Sequence, residues 1–271
     1  MPTDMEVYLF DLRGYIILRG ALNTTEVAEC NATVDALLPV KVGDWRGAIH
    51  AHTFGGKDGI NLQQIYEAGP VLERLIDHPS WFEHMKHFVG GAGTFDYNHG
   101  PLFIDENFIN LREPGEAIPL HSGGDTHCLR TQFHVANGQF HCGQVNVLMA
   151  LTDIGPGDGA TMVIPGSHKS NFPHPQRATQ GWAAGNSVDG IEGAIEVHLN
   201  KGDALIFVDA IMHGSARRMN DGQRRIVVYR YGPSWARSRH DYTPTPELLA
   251  RLTPERRQIV APGQRGGPAY K

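Results

Sequence analysis

The stretch that decides the fold is GDALIFVDAIMHGS, residues 202–215. An apolar run, Ala204–Val208, follows a Gly-Asp turn and predicts a short buried strand. His213 comes soon after this run, and Arg224 lies eleven residues further on. A second histidine, His121, ends the apolar-rich stretch IPLH. The two histidines and the arginine are therefore expected at the ends of neighbouring β-strands.

These three side chains suggest a chemistry. Two imidazoles can hold a ferrous ion on one face and leave other positions open for a cosubstrate and O₂. A guanidinium on the following strand can grip a carboxylate with two parallel hydrogen bonds. The layout of His121, His213 and Arg224 therefore predicts a non-haem Fe(II) site that chelates a 2-oxo acid.

Composition excludes several other classes. The chain has 271 residues, 41% of them hydrophobic, and a net charge of −5 without a basic block. We therefore expect no nucleic-acid polymer and no anionic membrane surface as a partner, since both need clustered Lys and Arg. No apolar run approaches the roughly 18 residues of a membrane span. The acidic start, with Asp4, Glu6 and Asp11, is unlike a secretory signal and favours a cytoplasmic location.

Cysteine and histidine usage agrees with a nitrogen and oxygen site. The chain has three cysteines without C-x-x-C spacing, but 15 histidines. This imbalance disfavours disulfides and thiolate zinc sites. A zinc hydrolase is also disfavoured, because two histidines alone are a thin ligand set for zinc.

The segment pattern predicts a mainly β fold with peripheral helices, of the jelly-roll or double-stranded β-helix class. We expect a single domain, 1–271, with N-terminal helices in 1–93, a jelly-roll core in 94–235 and a C-terminal helical tail in 236–271. The polar stretch 165–190 is expected to be a long loop. The expected strands are Tyr15–Leu18, Phe103–Leu111, Gln139–Leu151, Ala160–Ile164, Ile195–Leu199, Ala204–Val208 and Arg225–Tyr231. The expected helices are 24–38, 70–78 and 80–89, and Thr245 and Thr253 are expected to cap two more.

The chain resembles the phytanoyl-CoA dioxygenase (PhyH) family of Fe(II)/2-oxoglutarate oxygenases over roughly residues 8–235. The resemblance is carried by DLRGYII (11–17), DGATMVIPGSHK (158–169), GDALIF (202–207), HGS (213–215) and the arginines at 224–225. It implies a double-stranded β-helix with His121 and His213 as iron ligands. It also implies that Arg224 and Ser215 bind 2-oxoglutarate, which O₂ cleavage would convert to succinate and CO₂.

The chain departs from the family pattern at one position. Most members have His-x-Asp or His-x-Glu, whereas this chain has His121-Ser122-Gly123. Related halogenases carry Gly or Ala there, and a chloride replaces the missing carboxylate. The resemblance to them implies C–Cl formation at an unactivated carbon of a small polar, nucleotide-like substrate, with chloride beside Gly123.

Two alternatives stay open. A hydroxylase could recruit another carboxylate, either Asp125 in the Gly-Gly segment or Glu116 before the strand. A cupin-like barrel that only binds a ligand would also explain a missing carboxylate, although Arg224 and Ser215 speak against it.

Further residues are candidates for contacts with 2-oxoglutarate or substrate. Strand alternation places Gln144 and Asn146 on one face, where either could contact 2-oxoglutarate or substrate. A register slip from Arg224 to Arg225 would turn the guanidinium to the other face. The weaker candidates for contacts with a substrate, expected to be anionic, are His141, Asp125, His168, Lys169, Arg177 and Arg130.

Overall fold

The computed structural model describes residues 1–54, 59–90, 100–124, 127–179, 190–234, 236 and 242–262. Within them the strands are β1 (Tyr15–Leu18), β2 (Trp45–Arg46), β3 (Ile49–His52), β4 (Ile60–Gln63), β5 (Phe103–Arg112), β6 (Ile118–His121), β7 (Phe133–Ala136), β8 (Gln139–Cys142), β9 (Val145–Ala150), β10 (Thr161–Ile164), β11 (Ile195–Val197), β12 (Ala204–Val208), β13 (Met212–Ser215) and β14 (Arg224–Gly232). The α-helices are α1 (Asp4–Arg13), α2 (Thr24–Leu37), α3 (Pro70–Glu73), α4 (Phe82–Val89), α5 (Pro175–Thr179), α6 (Pro246–Arg251) and α7 (Pro254–Val260).

These strands form a mainly antiparallel jelly roll. The major sheet has the order β1-β12-β9-β14-β5-β4-β3-β2, and the minor sheet the order β11-β10-β13-β6. Strands β7 and β8 form a separate two-stranded hairpin. The predicted double-stranded β-helix with peripheral helices is therefore confirmed.

The two faces of the major sheet differ in chemistry. The outer face is apolar and packs on the helical layer, where the Tyr231 hydroxyl donates to the Ile76 carbonyl at 2.9 Å and accepts from the Trp81 indole N–H at 3.2 Å. On the inner face Phe207 lies opposite Asn146, and Asn146 lies opposite Arg230. Cross-strand partners share a face of the sheet. The Phe207 ring lies 4.8 Å from that of His213 in the minor sheet, so this polar face lines the barrel interior.

The first ninety residues supply strands as well as helices, which corrects the expected division. Strand β1 pairs with β12 at one edge of the major sheet. At the other edge β4 pairs with β5, and β3 and β2 follow outward. The N-terminal segment is therefore part of the barrel and not only a helical cover.

The expected strand Gln139–Leu151 is wrong because Gly143 divides it into β8 and β9. A Cβ at Gly143 would lie 2.0 Å from the Leu129 carbonyl oxygen, and its N–H donates to the Gln132 carbonyl at 2.8 Å. Only glycine allows this close approach of two backbones. The chain changes sheets at this point.

The helix predictions hold in part. The hydroxyls of Thr245 and Thr253 cap α6 and α7 as expected. The segment 70–78 forms the four-residue α3 followed by a 3₁₀ turn, and α4 begins at Phe82 without a side-chain cap. No helix in the described part of the chain is long and apolar enough to cross a bilayer.

Candidate active site

Strand pairing brings His121 and His213 together. They are cross-strand partners on β6 and β13, and their ring centroids lie 4.2 Å apart. The Nδ1 of His121 lies 3.0 Å from the Pro119 carbonyl oxygen, and that of His213 lies 2.7 Å from the Ile211 carbonyl oxygen. A carbonyl only accepts, so each Nδ1 carries the proton. Both Nε2 lone pairs are then available to a metal ion.

The surroundings keep both imidazoles neutral. Burial holds the pKa of His213 well below its ordinary value of 6.5, and the neighbouring His121 lowers it further. Burial also lowers the pKa of His121. Neutral imidazole is the form that binds a metal ion, so the pair is ready to act as two nitrogen ligands at neutral pH.

The segment after His121 carries no carboxylate as far as it is described. Ser122 and Gly123 have φ values of 64° and 96°, so the chain turns away from the extended path of β6. The Gly124 N–H then donates to the Ser167 carbonyl at 2.8 Å. Asp125 lies outside the described residues. Among the residues described, no three His, Cys, Asp or Glu side chains are grouped to hold a metal ion.

Glu116 does not supply a carboxylate ligand next to the two histidines. Its carboxylate lies 3.4 Å from the Arg217 guanidinium at a partly exposed site. The residue precedes β6, whereas His121 is the last residue of that strand. The structure therefore does not bring Glu116 to the histidine pair.

A cluster of three buried arginines lies at one end of the barrel. Arg224 on β14 lies opposite Arg112 on β5, and Arg218 lies nearby. Arg224 donates to the Gly159 carbonyl and to the Asn110 side-chain oxygen. We call Arg112, Arg218 and Arg224 the arginine cluster. Its members are exposed by only 1, 5 and 4%, respectively.

The arginine cluster fits an anion. Burial lowers the pKa of Arg224 to about 9, and the charges of Arg112 and Arg218 contribute to the shift. Arg218 pairs with the Asp158 carboxylate at 3.1 Å. The Nε of Arg224 is buried and has no hydrogen-bond partner among the described residues. A carboxylate there would relieve the repulsion, because opposite charge favours the ionised guanidinium.

Ser215 belongs to the same end of the barrel. Its hydroxyl accepts a hydrogen bond from Arg112, which also donates to the Glu116 carbonyl. Sequence reasoning missed Arg112, since an arginine at the end of an apolar strand reads as a solvated terminus. The register of β5 against β14 is what places Arg112 opposite Arg224.

Arg225 points to the other side of the sheet. Its guanidinium lies 2.7 Å from the Asp35 carboxylate and donates to the Asn31 side chain at 3.1 Å, both on α2. The structure thus places Arg224 inside the barrel and Arg225 outside it.

Two buried carboxylates, Asp209 and Glu106, lie among the side chains of the barrel interior, a region that we call the barrel floor. The sequence analysis did not identify either of them. Asp209 accepts a hydrogen bond from the Asn146 amide at 3.1 Å and also pairs with Arg130. Glu106 lies 3.2 Å from Arg230. Arg130 donates to the Ser122 hydroxyl at 3.3 Å, which links this ion network to the turn after His121. Alternation along β5 could have indicated Glu106.

Gln144 meets the same network through its backbone. Its carbonyl accepts the Asp209 N–H at 2.9 Å, and the residue is buried just before β9. Asn146 and Gln144 thus lie beside the ion network, where the sequence placed them near a ligand.

The loop candidates have structural partners. His168 is buried, its Nε2 lies 3.0 Å from the Asp11 carbonyl oxygen, and its ring stands edge-on to Phe133. Burial lowers its pKa to about 4. Lys169 donates to the same Asp11 carbonyl at 2.8 Å. These contacts fasten the loop after β10 to α1 and give His168 and Lys169 partners within the fold.

The remaining candidates lie on peripheral elements. His141 pairs with His134 in the β7–β8 hairpin. Arg177 is exposed on α5. The structure does not bring either residue to the histidine pair.

A jelly-roll barrel with two paired imidazoles and a buried guanidinium cluster is the arrangement expected of an iron- and 2-oxoglutarate-dependent enzyme of the dioxygenase type. Comparison with known proteins agrees. The sequence profile of the phytanoyl-CoA dioxygenase (PhyH) family matches residues 10–226. The chain belongs to this family.

Relatives and solved structures extend the comparison. Dioxygenase FUM3 of Gibberella moniliformis (strain M3125 / FGSC 7600) is 31% identical over 84% of this chain and 71% of its own. Dioxygenase cdmD of Talaromyces verruculosus is 27% identical over 43% of this chain, a match that spans only 35% of that protein. The structure of HygX from Streptomyces hygroscopicus with nickel and 2-oxoglutarate bound aligns with a TM-score of 0.72 at 25% identity, covering 92% of this chain and 94% of that one.

Proposed function

We propose that the protein uses Fe(II), 2-oxoglutarate and O₂ to oxidise an unactivated C–H bond of a small polar molecule. One observation supports the proposal: His121 and His213 are cross-strand partners whose Nδ1 atoms face backbone carbonyls, in a barrel that also buries the arginine cluster. When bound, iron and 2-oxoglutarate would activate O₂, which is the oxidant and takes two electrons from 2-oxoglutarate, giving succinate and CO₂, and two from the substrate. HygX, the solved structure aligned above, holds a metal ion and 2-oxoglutarate together.

The residues of this chain have distinct tasks in that reaction. His121 and His213 hold the metal, and their Nδ1 bonds to backbone carbonyls fix the ring orientation. Arg224 and Ser215 bind the distal carboxylate of 2-oxoglutarate, with Arg112 holding the Ser215 hydroxyl in place. Asn146 lies on the inner face and is available to ligands in the barrel.

Oxygenation is the outcome we propose first, because the relatives reported above are named as dioxygenases. In that case the iron site needs a carboxylate, for which Asp125 is the candidate that the sequence offers. Chlorination is the second candidate, and a specific observation favours it. Gly123 stands where the family has a carboxylate, which leaves room for a chloride ion. A binding-only barrel is disfavoured, because an arginine cluster suited to a dicarboxylate has no use in it.

An anaerobic titration tests the class. Fe(II) and 2-oxoglutarate added without O₂ should produce a visible charge-transfer band in the wild type and in Arg225→Met. His213→Ala and Arg224→Met should lose the band. Absence of the band in the wild type would contradict the enzyme and favour the binding barrel.

Two variants separate the outcomes. If Asp125 is a ligand, Asp125→Ala should lose iron, and succinate formation by the wild type should be indifferent to chloride. If chloride is the ligand, Asp125→Ala should bind iron normally. Chloride should then shift the band, and Gly123→Asp should abolish that shift.

A further inference from the structure

We infer that Ser167 is a positioning residue, which holds the His213 imidazole in the orientation that a metal ion needs. Ser167 belongs to the stretch 158–169, which carries part of the family resemblance but has no task in the reaction proposed above. The inference rests on the proposed function, since it concerns His213 as a metal ligand.

The peptide group between Ile211 and Met212 connects Ser167 to His213. Its carbonyl oxygen accepts the Nδ1 proton of His213, with 2.7 Å between the two atoms. Its N–H donates to the Ser167 hydroxyl oxygen at 2.8 Å. A peptide group is planar, so a bond that holds the N–H also fixes the direction of the carbonyl. The Ser167 hydroxyl therefore acts on the His213 ring through one rigid group.

The Ser167 hydroxyl is itself held from two sides. It accepts from the Met212 N–H and donates to the Ile164 carbonyl at 2.6 Å, which uses its one proton. Ile164 ends β10 and is the cross-strand partner of Met212 on β13. The bond to Ile164 is local and would close a turn in any case, but the bond to Met212 joins residues 45 positions apart. This second bond indicates a role beyond the turn.

Ser167 also anchors the turn that follows His121. The Gly124 N–H donates to the Ser167 carbonyl at 2.8 Å, and a Cβ at Gly124 would lie only 3.0 Å from that oxygen. The two backbones therefore approach each other closely. One buried residue thus contacts the segment just after His121 and the segment just before His213.

The loop that carries Ser167 is fastened to α1. The Gly166 N–H donates to the Arg13 carbonyl at 3.0 Å, and the His168 Nε2 lies 3.0 Å from the Asp11 carbonyl oxygen. Two of the stretches that carry the family resemblance meet at these bonds. A metal ligand needs such fixed support, because its orientation is set by the groups that hydrogen-bond to it.

Nuclear magnetic resonance of the metal-free protein tests the positioning directly. At neutral pH, two-bond ¹H–¹⁵N spectra distinguish an imidazole that carries its proton on Nδ1 from one that carries it on Nε2. In the wild type His213 should carry the proton on Nδ1, and His213→Ala identifies its signals by their loss. Ser167→Ala should move part of the His213 population to the Nε2–H form, because the Ile211 carbonyl is no longer held toward the ring.

Metal affinity gives a second measurement. The Fe(II) affinity of Ser167→Ala, read without O₂ from the charge-transfer band, should fall by about tenfold to a hundredfold, the usual effect of removing a group that orients a ligand. Ser80→Ala is the matched control, since the Ser80 hydroxyl also donates to a backbone carbonyl, that of Ala21, at 2.8 Å. This variant should keep the wild-type His213 spectrum and the wild-type affinity.

An unchanged His213 tautomer in Ser167→Ala would overturn the inference, as would an equal loss of Fe(II) affinity in Ser80→Ala. Melting temperatures of both serine variants show whether a changed spectrum reflects lost folding. The spectra need neither iron nor 2-oxoglutarate. Failure of the charge-transfer test in the wild type would therefore contradict the proposed function, and an unchanged tautomer only the role of Ser167.

Discussion

Replacing Arg224 with methionine should weaken 2-oxoglutarate binding strongly and yet change stability little. The lowered pKa, about 9 against an ordinary 12.5, means that the buried charge costs about 5 kcal/mol at ~1.4 kcal/mol per pKa unit. The substitution removes that cost. It also removes hydrogen bonds to the Gly159 carbonyl and the Asn110 side chain, each worth about 1.5–3 kcal/mol. The two effects nearly cancel, and the net change should stay within about 2 kcal/mol.

Arg218→Met is the matched control. Arg218 is equally buried, but it pairs with the Asp158 carboxylate at 3.1 Å. Methionine would remove this ion pair and the hydrogen bonds that Arg218 donates to the Asp158 and Asp221 carbonyls, so this variant should lose about 3 kcal/mol of unfolding free energy. The same substitution at two neighbouring arginines should thus give different stabilities.

Urea unfolding with and without 2-oxoglutarate measures both quantities. Loss of a buried charged partner costs a ligand about 2–5 kcal/mol, which is about 30-fold to several thousand-fold in affinity. The shift that 2-oxoglutarate produces in the wild type should therefore vanish in Arg224→Met. If Arg224→Met proved as destabilised as Arg218→Met, or still responded to 2-oxoglutarate, the charge of Arg224 would already be balanced within the protein and the reasoning would be wrong.

Three further predictions concern pH and backbone. Burial alone would raise the pKa of Asp203, but hydrogen bonds from the Gly20 N–H and Arg19 lower it overall. Asp203→Asn should therefore lower the unfolding free energy above pH 3.8. Urea titrations should show the difference in unfolding free energy between the variant and the wild type closing as pH falls through the lower folded-state pKa. Burial keeps His168 neutral with a pKa of about 4 against 6.5, so the wild type should lose up to about 3 kcal/mol between pH 6.5 and 4. If the melting temperature of His168→Gln fell with pH as steeply as that of the wild type, His168 would not be the cause of the loss. Gly14→Ala should destabilise the protein by about 2 kcal/mol or more, because Gly14 has a φ of 82° and a Cβ there would lie 2.6 Å from the His168 Nδ1. Gly20 has a φ of 60° but open space around it, so Gly20→Ala should show only the cost of backbone strain. Thermal melts of the two variants measure the difference.

The sequence predicts those parts of the molecule that depend on local pattern. His121 and His213 end short apolar strands, and Arg224 follows at a spacing that one strand connection explains. Alternation along β9 separates Asn146 from its apolar neighbours, and the structure places it on the barrel floor. The caps of α6 and α7 are equally local, because Thr-Pro-Glu defines a helix start by itself.

What the sequence does not predict depends on long-range pairing. Strands β2 and β3 are short and rich in polar residues, and they become strands only because β4 pairs with β5, some fifty residues further along the chain. Arg112 has no local signal, since its role comes from the register of β5 against β14. The break at Gly143 is equally non-local, because it is dictated by the Leu129 carbonyl from another segment.

The order of strands in the major sheet separates β2–β4 from the strands that carry the candidate site residues. Strands β2–β4 join the sheet only through β5, at the edge remote from β12 and β9. His121, His213 and Arg224 lie on later strands, nearer the carboxyl terminus. Exchange of β2–β4 between family members should therefore change this edge of the barrel while leaving intact the strands that carry His121, His213 and Arg224, which makes these short strands a natural module for engineering.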